Sequence, residues 1–153
     1  MATALITGAS SGIGLELAKI FALNKINLVL VARREDKLIN LANQLKQYAI
    51  QVDVLVKDLS NYKIAAEIFG WCNHQGIQID YLVNNAGVGD FGFFNKSDWT
   101  KQEQMINLNI TALTYLTHLF LPGMVQRKNG KVMNVASTAS FQPGTIDECI
   151  FYH

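Results

Sequence analysis

A glycine-rich turn near the amino terminus is the segment of this sequence best suited to hold a phosphate. It reads Thr7-Gly8-Ala9-Ser10-Ser11-Gly12-Ile13-Gly14 and separates an apolar run from a helical pattern. Glycines there let a phosphate approach the backbone closely, and the N–H groups and positive dipole end of the next helix favour a pyrophosphate. Because the turn contains no lysine, it is not a Gly-Lys-Ser/Thr phosphate loop. The turn therefore predicts a nucleotide site.

Two arginines follow the second apolar run, in Val31-Ala32-Arg33-Arg34. An acidic residue at this place would accept a hydrogen bond from a ribose 2′-hydroxyl, whereas paired arginines suit a 2′-phosphate. The alternative is a solvated helix start, in which the arginines pair with Glu35 and Asp36. Since arginine is unfavourable beside the positive end of a helix, the sequence favours NADP(H) over NAD(H).

Further polar residues that could do chemistry are Asp58, Asn84, Asn85, Asn109 and Ser137. Each has an ordinary structural explanation: an aspartate can cap the next helix, asparagines can cap strands or bond helix backbone, and a serine can sit in a turn. The functional interpretation is favoured because the positions coincide with the carboxyl ends of predicted strands, where open α/β sheets bind ligands.

The elements that must position these residues alternate along the chain. Short apolar runs predict strands at 4–7, 27–32, 52–56, 81–83 and 131–136. Helical spacing of apolar residues predicts helices at 13–23, 35–48 and 62–74, one from Asp98 with Ser97 as its cap, and one from after Asn107 to about Gln126. In the first helix, Ile13, Leu17, Ile20 and Phe21 share one face. This alternation predicts βαβ units with right-handed crossovers and a mostly parallel sheet, with helices on both faces.

Taken in order, these motifs resemble the short-chain dehydrogenase/reductase family over residues 3–144. The glycine turn is similar to the family's Thr-Gly-x-x-x-Gly-x-Gly cofactor motif, and Asp58-Leu59 to the pair that contacts adenine. Asn84-Asn85-Ala86-Gly87 resembles the motif that supports the sheet and lines the cofactor. Asn109 and Ser137 fall at the positions of the family's catalytic asparagine and serine.

The resemblance implies an α/β fold, a Rossmann-like doubly wound sheet of about five strands in the order 3-2-1-4-5, incomplete relative to the family. It implies Asn109 and Ser137 as catalytic residues. The cofactor-binding residues that it implies are Gly8, Ser10, Ser11, Gly12, Ile13, Gly14, Asp58, Leu59, Asn85, Ala86 and Gly87. Arg33, from the arginine pair, is added to this set as a further cofactor-binding residue.

The resemblance also implies hydride transfer between a nicotinamide and a small carbonyl or alcohol substrate. In the family a serine holds the substrate oxygen, and a tyrosine moves the proton. A lysine four residues later lowers the pKa of that tyrosine from its ordinary value of about 10, and the asparagine ties the lysine to a water. The tyrosine is expected near position 150, which is Ile150 here, and Tyr152 has only His153 after it.

We therefore expect residues 1–144 to be the NAD(P)-binding part of the domain, and 145–153 to be an aberrant tail, as a one-base insertion near codon 145 would produce. Complete family members run to roughly 250 residues, so the expectation is a truncated chain that is catalytically incompetent. The alternative function is a non-catalytic dinucleotide-binding module. The family is usually homo-oligomeric; here the last strand would be an exposed edge, prone to association.

Composition narrows the partners and the compartment. The formal net charge of +1 gives no reason to expect nucleic acid or an anionic membrane. Two cysteines and the absence of a basic segment before the first apolar run indicate a reducing, cytoplasmic setting. The apolar run at 28–32 is far shorter than the roughly 20 residues of a membrane span. The histidines lack metal-ligand spacing, so no metal is predicted.

Overall fold

Five parallel strands form one sheet in the computed structural model, which describes residues 1–90 and 92–138. They are β1 (Thr3–Thr7), β2 (Asn27–Ala32), β3 (Val52–Val56), β4 (Tyr81–Asn84) and β5 (Lys131–Asn134). Their order in the sheet is β3-β2-β1-β4-β5, and every neighbouring pair is parallel. This confirms the predicted order 3-2-1-4-5. Because the winding reverses between β1 and β4, a crevice opens at their carboxyl ends.

Five α-helices connect the strands within the described residues. They are α1 (Gly12–Leu23), α2 (Glu35–Leu45), α3 (Ile64–His74), α4 (Trp99–Ile106) and α5 (Leu113–Arg127). A π-helical segment, Asn107–Ala112, joins α4 to α5, and short 3₁₀ turns lie at Lys46–Tyr48 and Phe94–Lys96. Helices therefore fill the connections that parallel strands require.

The helices cover both faces of the sheet, as predicted. On one face, Leu5 and Val29 pack in a buried cluster with α3 and α5; on the other, Ile6 and Leu28 pack in a second cluster with α1 and α2. Successive strand residues point to opposite faces, so β1 is buried at every position. This two-sided burial explains why the strand sequences are apolar without alternation and confirms a Rossmann-like doubly wound fold.

The inward face of α1 differs from the one that its large apolar residues indicate. Ile13 and Ile20 are exposed, at 59% and 55%, while the fully buried positions are Gly14, Ala18 and Ala22. These small residues let the helix lie close to the sheet. Bulky side chains would hold it away from the glycine turn. Leu17 and Phe21 are half-buried and pack against the core cluster under α1. The predicted face is therefore right for these two residues and wrong for Ile13 and Ile20.

The start of α4 is also corrected. Asp98, not Ser97, is the N-cap: the Asp98 carboxylate accepts from the Thr100 N–H at 2.9 Å. The Ser97 hydroxyl instead donates to the Phe94 carbonyl at 2.8 Å, closing the preceding 3₁₀ turn. Both residue types cap helices well, so the sequence alone did not separate them. Other boundaries differ by two or three residues, at the end of α2, the start of α3 and the end of β5.

One helical stretch in the described part of the chain, Trp99–Arg127, has the length and the mean hydropathy, 1.2, of a membrane span. The short apolar runs in the sequence did not predict this. Leu116, Phe120 and Met124 of this stretch are buried in the cluster beneath α5, while 28% of its most apolar 18-residue window is buried in all. A cytoplasmic location and the lack of a membrane partner stay predictions. The predicted boundary at 144 and the tail 145–153 lie outside the described residues.

Candidate functional site

A cavity of about 330 Å³ opens at the carboxyl edge of the sheet, where the crevice was expected. Nine residues predicted to bind a cofactor line it: Gly8, Ser10, Ser11, Arg33, Asp58, Leu59, Asn85, Ala86 and Gly87. Gly12, Ile13 and Gly14 form the first turn of α1 instead. Arg34, the second arginine of the pair expected to suit a 2′-phosphate, also lines the cavity. Five further lining residues were not predicted to bind the cofactor, and these are Val31, Ala32, Lys57, Val88 and Leu108.

The glycine turn is pressed against the loop that follows β4. Gly8 has φ +67°, and a Cβ there would lie 2.9 Å from the Cα of Ala86. A Cβ on Gly14 would lie 2.6 Å from the Gly8 carbonyl oxygen and would overlap the Asn85 amide. Only glycine fits both positions, because a side chain would push the turn away from its neighbours. The cavity floor is thus backbone, which a pyrophosphate can approach closely.

Thr7 and Asn85 hold this floor together. The Thr7 hydroxyl oxygen accepts from the backbone N–H groups of Asn85 and Ala86, both at 2.9 Å, and itself donates to the Val83 carbonyl at 3.3 Å. The Asn85 side-chain amide donates to the Thr7 carbonyl at 2.9 Å. These contacts tie the end of β1 to the end of β4, so the glycine turn has a fixed position over the sheet.

The two arginines at the end of β2 have different surroundings. Arg34 donates from Nε and Nη2 to the Ser10 hydroxyl, at 3.2 and 3.0 Å, and from Nη2 to the Ser11 hydroxyl. Both arginines are exposed to solvent. Within the described ranges, Arg33 makes no contact with the glycine turn that would match those of Arg34; its Nη1 lies 3.8 Å from the carboxylate of Asp58. The alternative pairing of the arginines with Glu35 and Asp36 is not seen in the part of the chain that the structure describes. Arg34 therefore places a guanidinium directly against the glycine turn.

Asp58 and Leu59 form the wall of the cavity after β3. The Asp58 carboxylate accepts from the Ser60 N–H at 3.0 Å and the Ser60 hydroxyl at 2.8 Å, closing a tight turn. Leu59 is nearly fully buried and belongs to the core cluster under α3. Asp58 therefore does not cap α3, whose N-cap is Lys63, and its turn places it on the cavity wall.

A second cavity, of about 230 Å³, adjoins the first and contains both predicted catalytic residues. It is lined by Asn85, Gly87, Val88, Gly89, Asn109, Val135, Ala136 and Ser137. Asn85, Gly87 and Val88 line both cavities, so the two spaces share a wall. A ligand in the first cavity can therefore extend toward the Ser137 hydroxyl.

Asn109 lies in the π-helical segment, 2% exposed. Its side-chain amide donates to the Val88 carbonyl at 2.8 Å and accepts from the Val88 N–H at 3.1 Å. π-Helical turns inside α-helices occur often at functional sites because they redirect side chains. Here the turn directs Asn109 at the shared wall of the two cavities, rather than along its own helix.

A polar contact that sequence reasoning missed joins β4 to β5. The Asn84 side-chain amide donates to Asn134 Oδ1 at 2.9 Å and to the Thr117 hydroxyl at 3.0 Å. Asn84 and Asn134 are also register partners in the sheet. Ser137 follows Asn134 by three residues, so this contact aligns the serine with the loop after Asn84. The sequence signal that could have predicted this contact is that both strands end in an asparagine after apolar residues.

Among the described residues no cluster of three His, Cys, Asp or Glu side chains is placed to hold a metal.

Comparison with protein families adds an independent finding. The family model described as short chain dehydrogenase matches residues 2–148. The very-long-chain 3-oxoacyl-CoA reductase of Anas platyrhynchos is 33% identical over 147 residues, which cover 93% of this chain and 47% of that protein. The NADP-dependent 3-hydroxy acid dehydrogenase YdfG of Escherichia coli (strain K12) is 34% identical over 143 residues, 91% of this chain and 55% of that protein.

Solved structures of short-chain dehydrogenases also match this chain. A short-chain dehydrogenase from Sphingobium yanoikuyae in complex with NADPH superposes with a TM-score of 0.87 at 38% identity, covering 94% of this chain and 56% of that chain. The chain spans about half the length of the curated relatives it matches.

Proposed function

Because this chain belongs to the short-chain dehydrogenase family, we propose that it binds NADP(H) in the cavity at the sheet edge and presents the nicotinamide to a small carbonyl or alcohol substrate beside Ser137. The family consists of oxidoreductases, and relatives act on hydroxy or oxo groups by name. When bound, the reduced dinucleotide would donate a hydride to a carbonyl carbon, and the oxidised form would accept one from an alcohol carbon.

One observation carries the choice of NADP(H) over NAD(H): the Arg34 guanidinium lies against the Ser10 and Ser11 hydroxyls at the end of β2. An adenosine 2′-phosphate held there would meet a fixed guanidinium and two hydroxyls, which together form charge-assisted hydrogen bonds. Arg33, at the outer edge and near Asp58, adds positive charge. No acidic residue ends β2 to accept from a free ribose 2′-hydroxyl.

The residues along the cavity follow the order of the parts of a dinucleotide, from adenine through pyrophosphate to nicotinamide. Asp58 and Leu59 would border the adenine, and the Gly8 turn with the start of α1, including Gly12, Ile13 and Gly14, would hold the pyrophosphate. Asn85, Ala86 and Gly87 would line the path to the nicotinamide. The backbone supports this fit, because glycine at positions 8 and 14 lets the turn lie directly against Ala86 and Asn85, where any side chain would collide.

On the substrate side, this chain contributes Ser137 and Asn109. The Ser137 hydroxyl can donate to the oxygen of a carbonyl substrate in the second cavity. Asn109 would act as a positioning residue, since its amide fixes the backbone of Val88 on the wall that the two cavities share. Proton transfer needs a further group, because no tyrosine in these 153 residues is followed four positions later by lysine.

We therefore propose that the 153-residue chain by itself binds the cofactor without measurable carbonyl reduction, with residues 1–144 as the NAD(P)-binding unit. The second candidate function is a dinucleotide-binding module without catalysis, which requires only the cofactor cavity. The two candidates predict the same binding and differ in solution behaviour: a functional module is a folded, soluble monomer or dimer, whereas an incompetent enzyme part is expected to associate.

Titration of the purified chain with NADPH and NADH, followed by nicotinamide fluorescence, tests the proposal. We expect saturable binding of NADPH and at least about tenfold weaker binding of NADH, as loss of one charge-assisted contact predicts. Light scattering on the same sample separates the module from the associating enzyme part. Absence of NADPH binding would refute the function, and NADPH-dependent reduction of a carbonyl by this chain would refute the proposed incompetence.

A further inference from the structure

The cavity beside Ser137 has an uncharged lining. None of its described lining residues is Lys, Arg, Asp or Glu, and its polar side chains are the amides of Asn85 and Asn109 and the hydroxyl of Ser137. A carboxylate or ammonium on the substrate would therefore lose its hydration without gaining an ion pair, which is unfavourable. The lining selects for a substrate that is neutral around the reacting carbon.

Large apolar side chains are exposed where the chain leaves this cavity. Val88 belongs to the wall of the cavity and is 42% exposed, while Phe93 and Phe94, a few residues further on, are 48% and 60% exposed. Four residues span at most about 14 Å, so Phe93 lies within that distance of Gly89 on the wall. Together Val88, Phe93 and Phe94 form what we term the apolar rim.

The apolar rim is held in place at several points. Both backbone hydrogen-bonding groups of Val88 are bonded to the Asn109 side chain. Gln102, 1% exposed on α4, has its Nε2 3.5 Å from the Asp90 carboxylate, between the rim's two ends. The Lys96 ammonium lies 5.1 Å from the centre of the Phe93 ring. Val88 is thus fixed on the cavity wall, and the ring of Phe93 belongs to a residue within about 14 Å of that wall, so a bound molecule of sufficient size can cover both.

From this placement we propose a substrate class: an uncharged ketone or the corresponding alcohol, with its reacting carbon at Ser137 and a bulky apolar body packed on Val88, Phe93 and Phe94. The proposal rests on the proposed function, because it specifies the substrate of that same site. It excludes short charged oxo acids as preferred ligands, since these are too short to cover the rim and meet no cation among the described residues that line the cavity.

The test uses the 153-residue chain saturated with NADPH, whose nicotinamide fluorescence reports a ligand arriving beside it. Benzophenone serves as the bulky neutral ketone and acetoacetate as the short charged one. The double variant Phe93→Ser/Phe94→Ser removes the rim's rings. Val125→Ser, an apolar residue 65% exposed on α5, is the matched control for general surface hydrophobicity.

We expect benzophenone to bind at least about tenfold more tightly than acetoacetate, and the double variant to lose about tenfold in benzophenone affinity, because each phenylalanine contributes buried apolar area. Val125→Ser should bind benzophenone like the wild-type chain. Equal or tighter binding of acetoacetate, an unaffected double variant, or an equal loss in Val125→Ser would overturn the substrate class and leave NADPH binding intact. Loss of NADPH binding itself would refute the proposed function instead.

Discussion

The side chain of Asn109 pairs with the backbone of Val88 in both directions, donating to its carbonyl at 2.8 Å and accepting from its N–H at 3.1 Å. The two residues are 21 positions apart, and the pairing is made by an amide that is 2% exposed. It fixes the wall shared by the two cavities in the way that a strand pairing would, although no strand is present there.

Replacement of Asn109 by alanine should therefore destabilise the fold as well as loosen the site. The change leaves the Val88 N–H and carbonyl without these partners, so we expect a loss of about 2–3 kcal/mol in the free energy of unfolding. Urea denaturation measures it, and hydrogen exchange should accelerate at the Val88 amide. Gln104→Ala, at an exposed position of α4, is the control and should change stability by less than about 0.5 kcal/mol. A stable Asn109→Ala with protected Val88 would contradict this role.

Gly14 and Gly70 provide a matched pair of glycine-to-alanine changes in helices. A Cβ on Gly14 would overlap the Asn85 amide and lie 2.6 Å from the Gly8 carbonyl oxygen, whereas a Cβ on Gly70 meets nothing within 4 Å. We expect Gly14→Ala to cost about 1–3 kcal/mol by overpacking and to weaken NADPH binding. Gly70→Ala should stabilise α3 by about 0.5–1 kcal/mol through its better helix propensity. Thermal unfolding with and without NADPH measures both, and similar effects of the two variants would contradict the close contact.

Much of the fold could be predicted because its signals are local. Two-sided burial makes β1 and β2 continuously apolar, and the alternation of strands with helices fixes a parallel sheet. The cavity floor was predictable because only glycine permits the contact between Gly8 and the Ala86 backbone. These features need no knowledge of side-chain orientation.

What the sequence did not predict depends on which neighbour a side chain meets across the fold. Adjacent arginines look equivalent, yet Arg34 bonds the glycine turn while Arg33 lies near Asp58. The Asn84–Asn134 contact needs the register of two strands that are about 50 residues apart. The face of α1 was predicted only in part. Leu17 and Phe21 pack against the core as expected, but the most buried positions hold small residues, which carry little periodic signal.

The two arginines should differ in their effect on cofactor choice. Arg34→Ala removes the guanidinium that bonds Ser10 and Ser11, and we expect about 10- to 100-fold weaker NADPH binding with NADH binding unchanged. Arg33→Ala, at the exposed outer edge, should cost less than about tenfold. Fluorescence titration with both cofactors measures this, and Lys37→Ala on the exposed side of α2 controls for net charge. A larger loss in Arg33→Ala than in Arg34→Ala would reverse the assignment.

Cys72 should be unreactive while the protein is folded. Burial, and to a lesser extent the negative charge of Asp53, raise the pKa of its thiol to about 12. In a Cys149→Ser background, reaction with a disulfide reagent at about pH 8 should be slow for the folded chain and fast in concentrated urea, where the pKa returns to about 8.5.

The same shift predicts a loss of stability at high pH. Above about pH 9 the unfolded chain releases the thiol proton while the folded chain keeps it until about pH 12, so the unfolded state binds fewer protons and the free energy of unfolding falls as pH rises. To isolate this contribution, the free energy of unfolding is measured between about pH 7 and about pH 11 for two proteins, Cys149→Ser and Cys149→Ser/Cys72→Ala. A Cys72 thiol that reacts equally fast in the folded and unfolded states would contradict the raised pKa.

The outer side of β5 should govern self-association of this chain. Within the described residues β5 pairs only with β4, so its other side presents unpaired N–H and carbonyl groups, next to a Met133 that is 45% exposed. Such an edge can add a strand from a second copy, and a lysine placed on it opposes that pairing by charge repulsion.

We expect Met133→Lys to raise the monomer fraction in size-exclusion chromatography with light scattering, and to delay aggregation on heating. Ile39→Lys on α2 is a closely matched control, because Ile39 is also 45% exposed but lies away from the edge. Equal improvement in both variants would assign the association to general surface hydrophobicity, whereas improvement confined to Met133→Lys would assign it to the strand edge.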